Sequence, residues 1–547
     1  MAALSFLNKD RTIAGPGFNR WLVPPAALAI HLCIGMAYGF SVFWLPLSRL
    51  IGIKESVVCP ADMSFFQQIF TTKCDWPVSM VGWMYTLFFV FLGLSAATFG
   101  KWLEHAGPRK AGVVSALCWC GGLVISAIGV ILHQVWMLWL GSGVIGGIGL
   151  GLGYISPVST LIKWFPDKRG MATGMAIMGF GGGAMIGAPL ANSLMNFYAS
   201  ETSVGVWQTF LTLAVVYFAF MLFGALSYRV PPSGWLPKGW TPPVEKNKNT
   251  MITHRHMHVK NAMKTPQFWL LWGVLCLNVS ASIGIIGMAS PMLQEVFAGR
   301  LIGVNLAFEN LSTEQLVKIA TIGAGFAGLL SVFNIAGRFV WASLSDYIGR
   351  KTTFFIFFVL GALLYLAVPF LAKSNSLGLF VAAFCIIVSM YGGGFATIPA
   401  YLADMFGTQM VGAIHGRLLT AWSTAGVIGP VLVNYLREYQ LNRGVPHHMA
   451  YDMTFYILAA LLVGGFICNL LVRPVKEKFF MTDEELAHEK KLAHDKALEE
   501  VVDSGKTVNG VGSASKPVLV FIAWAAVGIP LVYGFWNTVE KAIQLFQ

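Results

Sequence analysis

The sequence predicts an all-α membrane protein in which two pseudo-symmetric six-helix bundles are followed by a thirteenth transmembrane helix. Three observations support this fold class: 56% of the 547 residues are hydrophobic, only 11% are charged, and long apolar runs recur along the whole chain. A soluble protein carries roughly a quarter charged residues, whereas helices in lipid must be apolar and satisfy their own backbone hydrogen bonds. The 59 glycines fit helices that pack closely together.

Apolar runs of about 20 residues, the length that crosses a bilayer, define the predicted spans. The first six lie at Trp21–Leu47, Val78–Phe99, Val113–Ile131, Trp136–Thr160, Met171–Leu194 and Trp207–Leu226. The next six lie at Phe268–Leu293, Ile319–Leu344, Phe354–Leu371, Leu377–Tyr401, Leu418–Tyr435 and Phe455–Leu471, and the thirteenth at Pro517–Val532. The first run is too long for a cleaved signal peptide and lacks a small-residue cleavage site, so we expect it to be retained.

These spans and the polar segments between them divide the chain into five predicted parts. Residues 1–228 form an N-terminal six-helix bundle, 229–265 a cytoplasmic central loop, 266–473 a C-terminal six-helix bundle, 474–516 a cytoplasmic tail, and 517–547 the extra transmembrane helix. In the tail, Thr482–Glu485 has the pattern of a capping box, which predicts a short helix towards Leu498. Residues 503–515 are rich in glycine and serine and indicate a flexible linker.

Lysine and arginine in the short loops predict the orientation, because such residues collect on the cytoplasmic side. One side contains Lys9, Arg11, Arg20, Lys101, Arg109, Lys110, Lys163, Lys168, Arg169, Arg350 and Lys351. We therefore expect an inner (plasma) membrane protein with a cytoplasmic N-terminus and, after thirteen spans, a periplasmic C-terminus. The same bias accounts for most of the formal net charge of +12 and indicates contact with anionic lipid, not with nucleic acid.

Six of the eight cysteines fall in apolar spans, where cysteine is usually a small buried hydrophobic residue. Cys59 and Cys74 differ, since they flank a polar loop that is predicted on the outer face. A disulfide between them is possible if that compartment is oxidising, and the sequence leaves both states open.

Two loops at corresponding places indicate that the halves are duplicated. Glu104–Lys110 follows the second span and Asp346–Lys351 follows the eighth. Each loop places an acid, a glycine three residues later and then basic residues, a pattern that suits a tight turn whose charges pair with neighbouring helix ends. The alternative is two unrelated loops that merely share a positive charge.

Arg338 lies inside the eighth predicted span, where an unpaired guanidinium would cost several kcal/mol of burial. Asn334 stands one helical turn earlier, so both side chains project from one helix face. A cation beside a neutral amide suits a carboxylate guest. The alternative is a structural arginine that snorkels towards the cytoplasm or pairs with a neighbouring helix end.

Further segments carry a resemblance to a known family. They are Gly35–Phe43 in the first span, Gly149–Pro157 in the fourth, Lys163–Gly174 beyond it, and Asn334–Lys351. On these residues the chain resembles the major facilitator superfamily and, within it, the oxalate/formate antiporter family, which is related to the monocarboxylate transporters. The resemblance implies two six-helix halves around a site near the bilayer midplane, and transport by alternating access.

The resemblance also implies roles for individual residues. In related carboxylate carriers the arginine of the eighth helix binds the substrate anion, which is the place of Arg338 here. Four aromatic residues match the family's pocket and are expected to shape it, although a single aromatic in a membrane protein is commonly packing: Tyr38, Tyr154, Tyr391 and Phe395. The two repeated loops are expected to latch a cytoplasmic gate through Glu104, Gly107, Arg109, Asp346, Gly349 and Arg350.

Trp422 of the eleventh span is also expected in the binding site, and there the chain departs from the family's pattern, because dicarboxylate-exchanging members carry a lysine at this position. A site with one cation neutralises one carboxylate, so the sequence favours a monocarboxylate such as formate, lactate, pyruvate or acetate. Oxalate/formate exchange is an alternative function, and a non-transporting membrane sensor or scaffold is an alternative of another class.

His31, in the first span, is the proton-coupling candidate because it is the only intramembrane histidine away from the predicted interfaces. A lone buried histidine is more often a satisfied polar contact, and the substrate anion can itself carry the proton. We expect His254–His258 to be loop and not a metal site, since it lacks acid and cysteine partners. The sequence predicts neither a cofactor nor an enzyme; the expected partners are a small carboxylate, protons or a counter-anion, and lipid.

Overall fold

The computed structural model describes residues 6–53, 57–60, 62–232, 234–241, 251–374, 376–489, 491 and 515–543. In these residues thirteen helices are long and apolar enough to cross a membrane, which confirms the predicted fold class. Regular structure in the described ranges is helical apart from two isolated β-bridges.

The first six spans form the N-terminal half. α1 begins at Val23–Ile34 and continues through a 3-10 segment, Gly35–Phe43, to a last turn at Trp44–Leu47. α4 is also composite, with Val135–Leu138, π-helical Trp139–Gly146 and Gly147–Trp164. The others are α2 Val78–Ala106, α3 Pro108–Ile131, α5 Arg169–Tyr198 and α6 Val206–Ser227.

The next six spans form the C-terminal half. They are α7 Pro266–Phe297, α8 Thr313–Ile348, α9 Arg350–Lys373, α10 Leu377–Phe406, α11 Val411–Leu418 with Thr420–Asn442, and α12 Asp452–Leu471; α13 is Pro517–Ile543. Several helices extend past the predicted apolar runs because polar residues cap them. Ser312 begins α8 with a capping box, in which its side chain accepts from Gln315 N–H and the Gln315 side chain accepts from Ser312 N–H.

Gly107 and Gly349 give the two halves the same tight turn. They join α2 to α3 and α8 to α9, with φ of 84° and 86°, a region that disfavours residues with a Cβ. Each glycine N–H donates to the carbonyl four residues earlier, at Leu103 and Ser345. The repeated sequence pattern thus becomes a repeated backbone structure.

We name the two ends of the bundle by what they carry: the latch end holds these two loops, and the disulfide end holds Cys59 and Cys74. The two cysteines are bridged, which resolves the alternative that the sequence left open. Asp75 orders the same segment by accepting from the backbone N–H groups of Ile51, Gly52 and Val57.

The capping box predicted in the tail is present. Thr482 N–H donates to Glu485 Oε2 at 3.0 Å, and Glu485 N–H donates to Thr482 Oγ1 at 3.2 Å. A short helix follows over residues 483–489. Its predicted continuation to Leu498 and most of the predicted linker at 503–515 lie outside the described residues.

Candidate functional site

Arg338 is fully buried on α8 and connects the two halves of the molecule. Its Nε donates to Asn334 Oδ1 at 3.1 Å, and its Nη1 donates to the Ile177 carbonyl of α5 at 3.2 Å. Its Nη2 has no hydrogen-bond partner, and no carboxylate pairs with the guanidinium, among the described residues. A buried cation therefore lies at the interface with neutral partners only.

Close helix packing holds Asn334 and Arg338 in place. A methyl group at Gly392 of α10 would lie 2.7 Å from Asn334 Oδ1 and 3.1 Å from Arg338 Cγ. Only a residue without a side chain lets α10 approach α8 at this point. The i, i+4 pair predicted from the sequence is therefore fixed by a neighbour that the local pattern did not identify.

Six aromatic side chains form one contacting cluster beside the guanidinium, and we call them the aromatic box. Phe180 and Phe395 lie closest, with ring centroids 5.8 and 5.7 Å from the Arg338 guanidinium carbon, within cation–π range. The N-terminal half supplies Tyr38, Tyr154 and Phe180, and the C-terminal half supplies Tyr391, Phe395 and Trp422. The structure thus brings together all seven sequence-predicted binding residues and adds Phe180.

The aromatic box packs across the interface of the halves. Trp422 lies 4.5 Å from Phe395, 5.4 Å from Tyr154 and 5.5 Å from Phe180, measured between ring centroids. The hydroxyl groups of Tyr38 and Tyr391 are 3.4 Å apart. Each half therefore contributes to one shared wall.

Two further buried donors of the aromatic box lack partners among the described residues: the Tyr154 hydroxyl and the Trp422 indole N–H. Both side chains are fully buried, and an unsatisfied buried donor costs about 1–3 kcal/mol. With Arg338 Nη2 they form a set of one cationic and two neutral donors. Such a set matches the acceptor-only oxygens of one carboxylate.

His31 lies behind the aromatic box, inside the N-terminal half. Its Nδ1 is 2.5 Å from the Ala176 carbonyl oxygen and its Nε2 is 3.3 Å from the Tyr154 carbonyl oxygen, while its ring stacks on Tyr154. Both neighbours are acceptors, and a neutral imidazole has a single N–H. A neutral His31 ring can therefore donate to one of these two carbonyl oxygens but not to both.

His415 of α11 corrects the expectation that His31 is the only histidine inside the bundle. It is 1% exposed, its ring centroid is 5.9 Å from that of Tyr154, and neither ring nitrogen has a hydrogen-bond partner in the described ranges. Its position near the start of a span made it look interfacial in the sequence. Tertiary packing between the halves buries it.

The first repeated loop joins the halves through Glu104. Its Oε2 accepts from Lys163 Nζ at 2.6 Å, and its Oε1 accepts from Ser159 Oγ and from the Gly412 N–H at the start of α11. Lys9 Nζ donates to the Glu104 carbonyl at 2.7 Å. Burial, with the nearby Lys163 ammonium, lowers the pKa of Lys9 to about 8.

The second repeated loop makes the matching connection through Asp346. Its carboxylate accepts from the N–H groups of Gly170 and Met171 at the start of α5, at 2.8 and 2.9 Å. Arg350 donates to both Asp346 and Asp404, and Arg169 of the N-terminal half donates to Asp404 at 2.8 Å. Each half therefore places an acid at the first turn of a helix of the other half, where the helix dipole favours negative charge.

Arg109 does not take part in this latch, in contrast to the expectation from the repeated pattern. Its Nη1 donates to the Phe6 carbonyl and its Nη2 to the Tyr228 carbonyl, both in the N-terminal half. Lys163 pairs with Glu104 instead. Asp404, Arg169 and Lys163 are latch residues that the sequence pattern did not identify as such, because they lie in other helices and loops.

Thirteen spanning helices, duplicated latch loops and a charged site between the halves define a membrane transporter. The model of the Major Facilitator Superfamily matches residues 28–308 and 298–540, and the chain belongs to that superfamily. It is similar to the oxalate:formate antiporter of Oxalobacter formigenes, with 23% identity over 489 residues, 88% of this chain and 100% of that protein.

Two further proteins resemble the chain. It is 25% identical over 447 residues to apicoplast pyruvate carrier 1 of Toxoplasma gondii, which covers 71% of this chain and 78% of the carrier. A variant of the fucose:proton symporter of Escherichia coli superposes with a TM-score of 0.53 at 13% identity, covering 84% of this chain and 100% of the symporter. The structural likeness concerns the fold alone.

Replacing Asp346 by asparagine should loosen the latch end. The change removes the negative charge of a carboxylate that accepts hydrogen bonds from two N–H groups and from Arg350. Hydrogen bonds to charged groups contribute about 1.5–3 kcal/mol to stability. Thr173, fully buried between α5 and α10, provides a cysteine reporter in a background without the six free cysteines. We expect maleimide labelling of Thr173→Cys in detergent to become about tenfold faster, which corresponds to about 1.4 kcal/mol.

Glu314→Gln is the matched control, since Glu314 pairs with Lys318 on the exposed surface at the other end of α8. It should leave the labelling rate unchanged. Equal rates for Asp346→Asn and the parent would contradict a latch role for this carboxylate.

Proposed function

We propose that the protein is a secondary active transporter of small monocarboxylates, of the formate, lactate, pyruvate or acetate type, that works by alternating access. One observation carries the proposal: Arg338 is a fully buried cation without a carboxylate partner in the described residues. A bound carboxylate would supply the missing charge and accept from the unpaired donors. The names of two relatives, an oxalate:formate antiporter and a pyruvate carrier, agree with this class of substrate.

The charge of the site favours one carboxylate over two. The aromatic box contributes no second cation, because the position in α11 that faces Phe180 and Phe395 is Trp422. A dianion would leave about one charge unpaired in a low-dielectric environment, which costs several kcal/mol. The tightly packed rings also favour a small guest. Oxalate/formate exchange is therefore the second candidate.

We infer the orientation from the latch and the disulfide. The latch end carries the basic loops, and disulfides persist in oxidising compartments. We place the latch end in the cytoplasm and the disulfide end in the periplasm of an inner-membrane carrier. In this conformer the Glu104 and Asp346 connections hold the cytoplasmic ends of the halves together, and substrate release to the cytoplasm would require both to open. A static scaffold has no use for such paired connections, which argues against the sensor or scaffold alternative.

We further propose that His31 binds the coupling proton. Its ring lies between two carbonyl oxygens and stacks on Tyr154, a residue of the aromatic box. Gain of a proton would satisfy both acceptors and would pull on the backbone of α4 and α5 together. Protonation would thus change the wall that faces Arg338.

Arg338→Gln should abolish carboxylate binding while the protein still folds, since glutamine is neutral and retains a hydrogen-bonding amide. The measurement is uptake of labelled formate, lactate, pyruvate, acetate and oxalate into proteoliposomes, with a fall of at least a hundredfold for every transported anion. Arg443→Gln, at an arginine that stacks on Tyr439 outside the site, should retain parent uptake. Parent affinity in Arg338→Gln would exclude the site.

Trp422→Lys should move the preference towards a dianion, because it adds a second cation beside Arg338. We expect the ratio of oxalate to formate uptake to rise about tenfold or more, as about 1.4 kcal/mol of differential binding gives a factor of ten. Trp422→Gln is the control, because glutamine is neutral and close to lysine in length. A parent protein that already exchanges oxalate for internal formate would overturn the single-charge argument.

His31→Gln should separate proton coupling from binding. We expect uptake driven by an inward proton gradient to fall at least tenfold, while exchange of labelled for unlabelled substrate continues. His448→Gln, in the loop before α12, is the control. If His31→Gln responds to the pH gradient as the parent does, the coupling proton must be carried by another group or by the substrate itself.

A further inference from the structure

The thirteenth helix lies against both halves of the transporter. Val527 is fully buried beside Leu28 and Ala29 of α1. Further along α13, Leu531 faces Gly182 of α5, and Thr538 faces Gly328 of α8. Because α5 and α8 belong to different halves, α13 lies along the seam between them.

Small residues make this contact close, as is typical of helix packing in membranes. A methyl group at Gly182 would lie 2.7 Å from Leu531 Cδ2, and one at Gly534 would lie 3.0 Å from Ile186 Cγ1 of α5. A methyl group at Gly328 would lie 3.1 Å from Thr538 Cγ2. Complementary surfaces of this kind indicate a defined docking site and not a helix that is merely nearby.

Polar contacts hold the beginning of α13 to the beginning of α1. The Trp524 indole N–H donates to the Trp21 carbonyl at 3.0 Å, and Asn19 N–H donates to Ser515 Oγ at 3.0 Å. The opposite face of α13 is exposed, with Phe521 at 75% and Val532 at 69%. One face therefore docks while the other faces lipid.

The docking site extends along the seam, where α13 contacts α5 at Gly182 and α8 at Gly328. At the latch end the two helices touch closely: a methyl group at Gly170 would lie 2.1 Å from the Ala342 carbonyl oxygen, and one at Gly181 would lie 3.2 Å from Ile335 Cγ1. From Met178 to Ile186, the contacts of α5 include α13. Pro189 and Leu190, further along α5, are exposed.

We propose that α1, α5 and α8 form a docking groove for a single transmembrane helix, that α13 occupies it, and that the docked helix favours the conformer closed at the latch end. When the latch end opens, α5 and α8 must move relative to each other. Because α13 contacts both helices nearer the disulfide end, it then loses part of its contact. A ligand shifts an equilibrium only through such differential contact, and here the ligand is part of the chain. The inference does not depend on the identity of the substrate.

The test uses the full chain and two glycines of α13. Gly534 faces Ile186 and Met185, so Gly534→Leu should push α13 out of the groove. Gly528 has nothing within 4 Å, so Gly528→Leu adds the same bulk towards lipid and is the matched control. Docking is measured by disulfide cross-linking of Gly328→Cys with Thr538→Cys, and the conformer by maleimide labelling of Thr173→Cys, in separate backgrounds without the free cysteines.

We expect Gly534→Leu to reduce cross-linking at least fivefold and to accelerate labelling at least threefold, with both values unchanged in Gly528→Leu. Parent cross-linking in Gly534→Leu would overturn the docking groove. Lost cross-linking with an unchanged labelling rate would overturn the effect on the conformer. If Gly534→Leu is not monodisperse, Val527→Trp, which disrupts the contact with α1, takes its place with the same two readouts. Neither readout measures transport, so failure here is distinct from failure of the proposed substrate class.

Discussion

Burial of the Arg338 charge costs free energy, and the surrounding structure can be understood from the need to offset that cost. Taking a guanidinium out of water is tolerable only when its hydrogen bonds are satisfied and its charge is compensated. Asn334 and the Ile177 carbonyl satisfy part of the hydrogen bonding, and Phe180 and Phe395 present ring faces. None of these groups carries a negative charge. The compensation that remains missing is the physical basis of the proposal that an anion binds at this place.

The proposed alternating access requires the latch end to open, and the latch shows which polar contacts would then have to break. Glu104 reaches the first turn of α11, and Asp346 reaches the first turn of α5, so the pseudo-two-fold repeat produces two equivalent cross-connections. Both consist of charged hydrogen bonds to backbone N–H groups that water can replace. Charged hydrogen bonds of this kind are strong while water is excluded and weak once water enters, because the local dielectric constant rises. This behaviour suits a gate.

Sequence and resemblance predicted the spans, the duplication and seven of the residues that lie together in the candidate site. Arg338 and Asn334 could be found because they are one turn apart on one helix, and a charge in an apolar run is conspicuous. Phe180 could not be found in this way. A phenylalanine in a glycine-rich span has no local sequence pattern that marks it as a site residue until Arg338 is known to lie beside it. The expected latch role of Arg109 rested on a local pattern that proved misleading. Its loop matches that of Arg350, but its partners, the Phe6 and Tyr228 carbonyls, come from distant segments.

α5 connects the latch, the site and the seam. Gly170 and Met171 bind Asp346, Ile177 accepts from Arg338, and Ile186 contacts α13, all within about 24 Å along one helix. If α5 moves as one body, release of Asp346 at its first turn also withdraws the Ile177 carbonyl from Arg338. The guanidinium then loses an acceptor at the moment when the latch opens, and a substrate carboxylate is the group that can replace it. An empty site would oppose that step and an occupied site would permit it, so in the proposed mechanism the buried arginine couples substrate binding to opening.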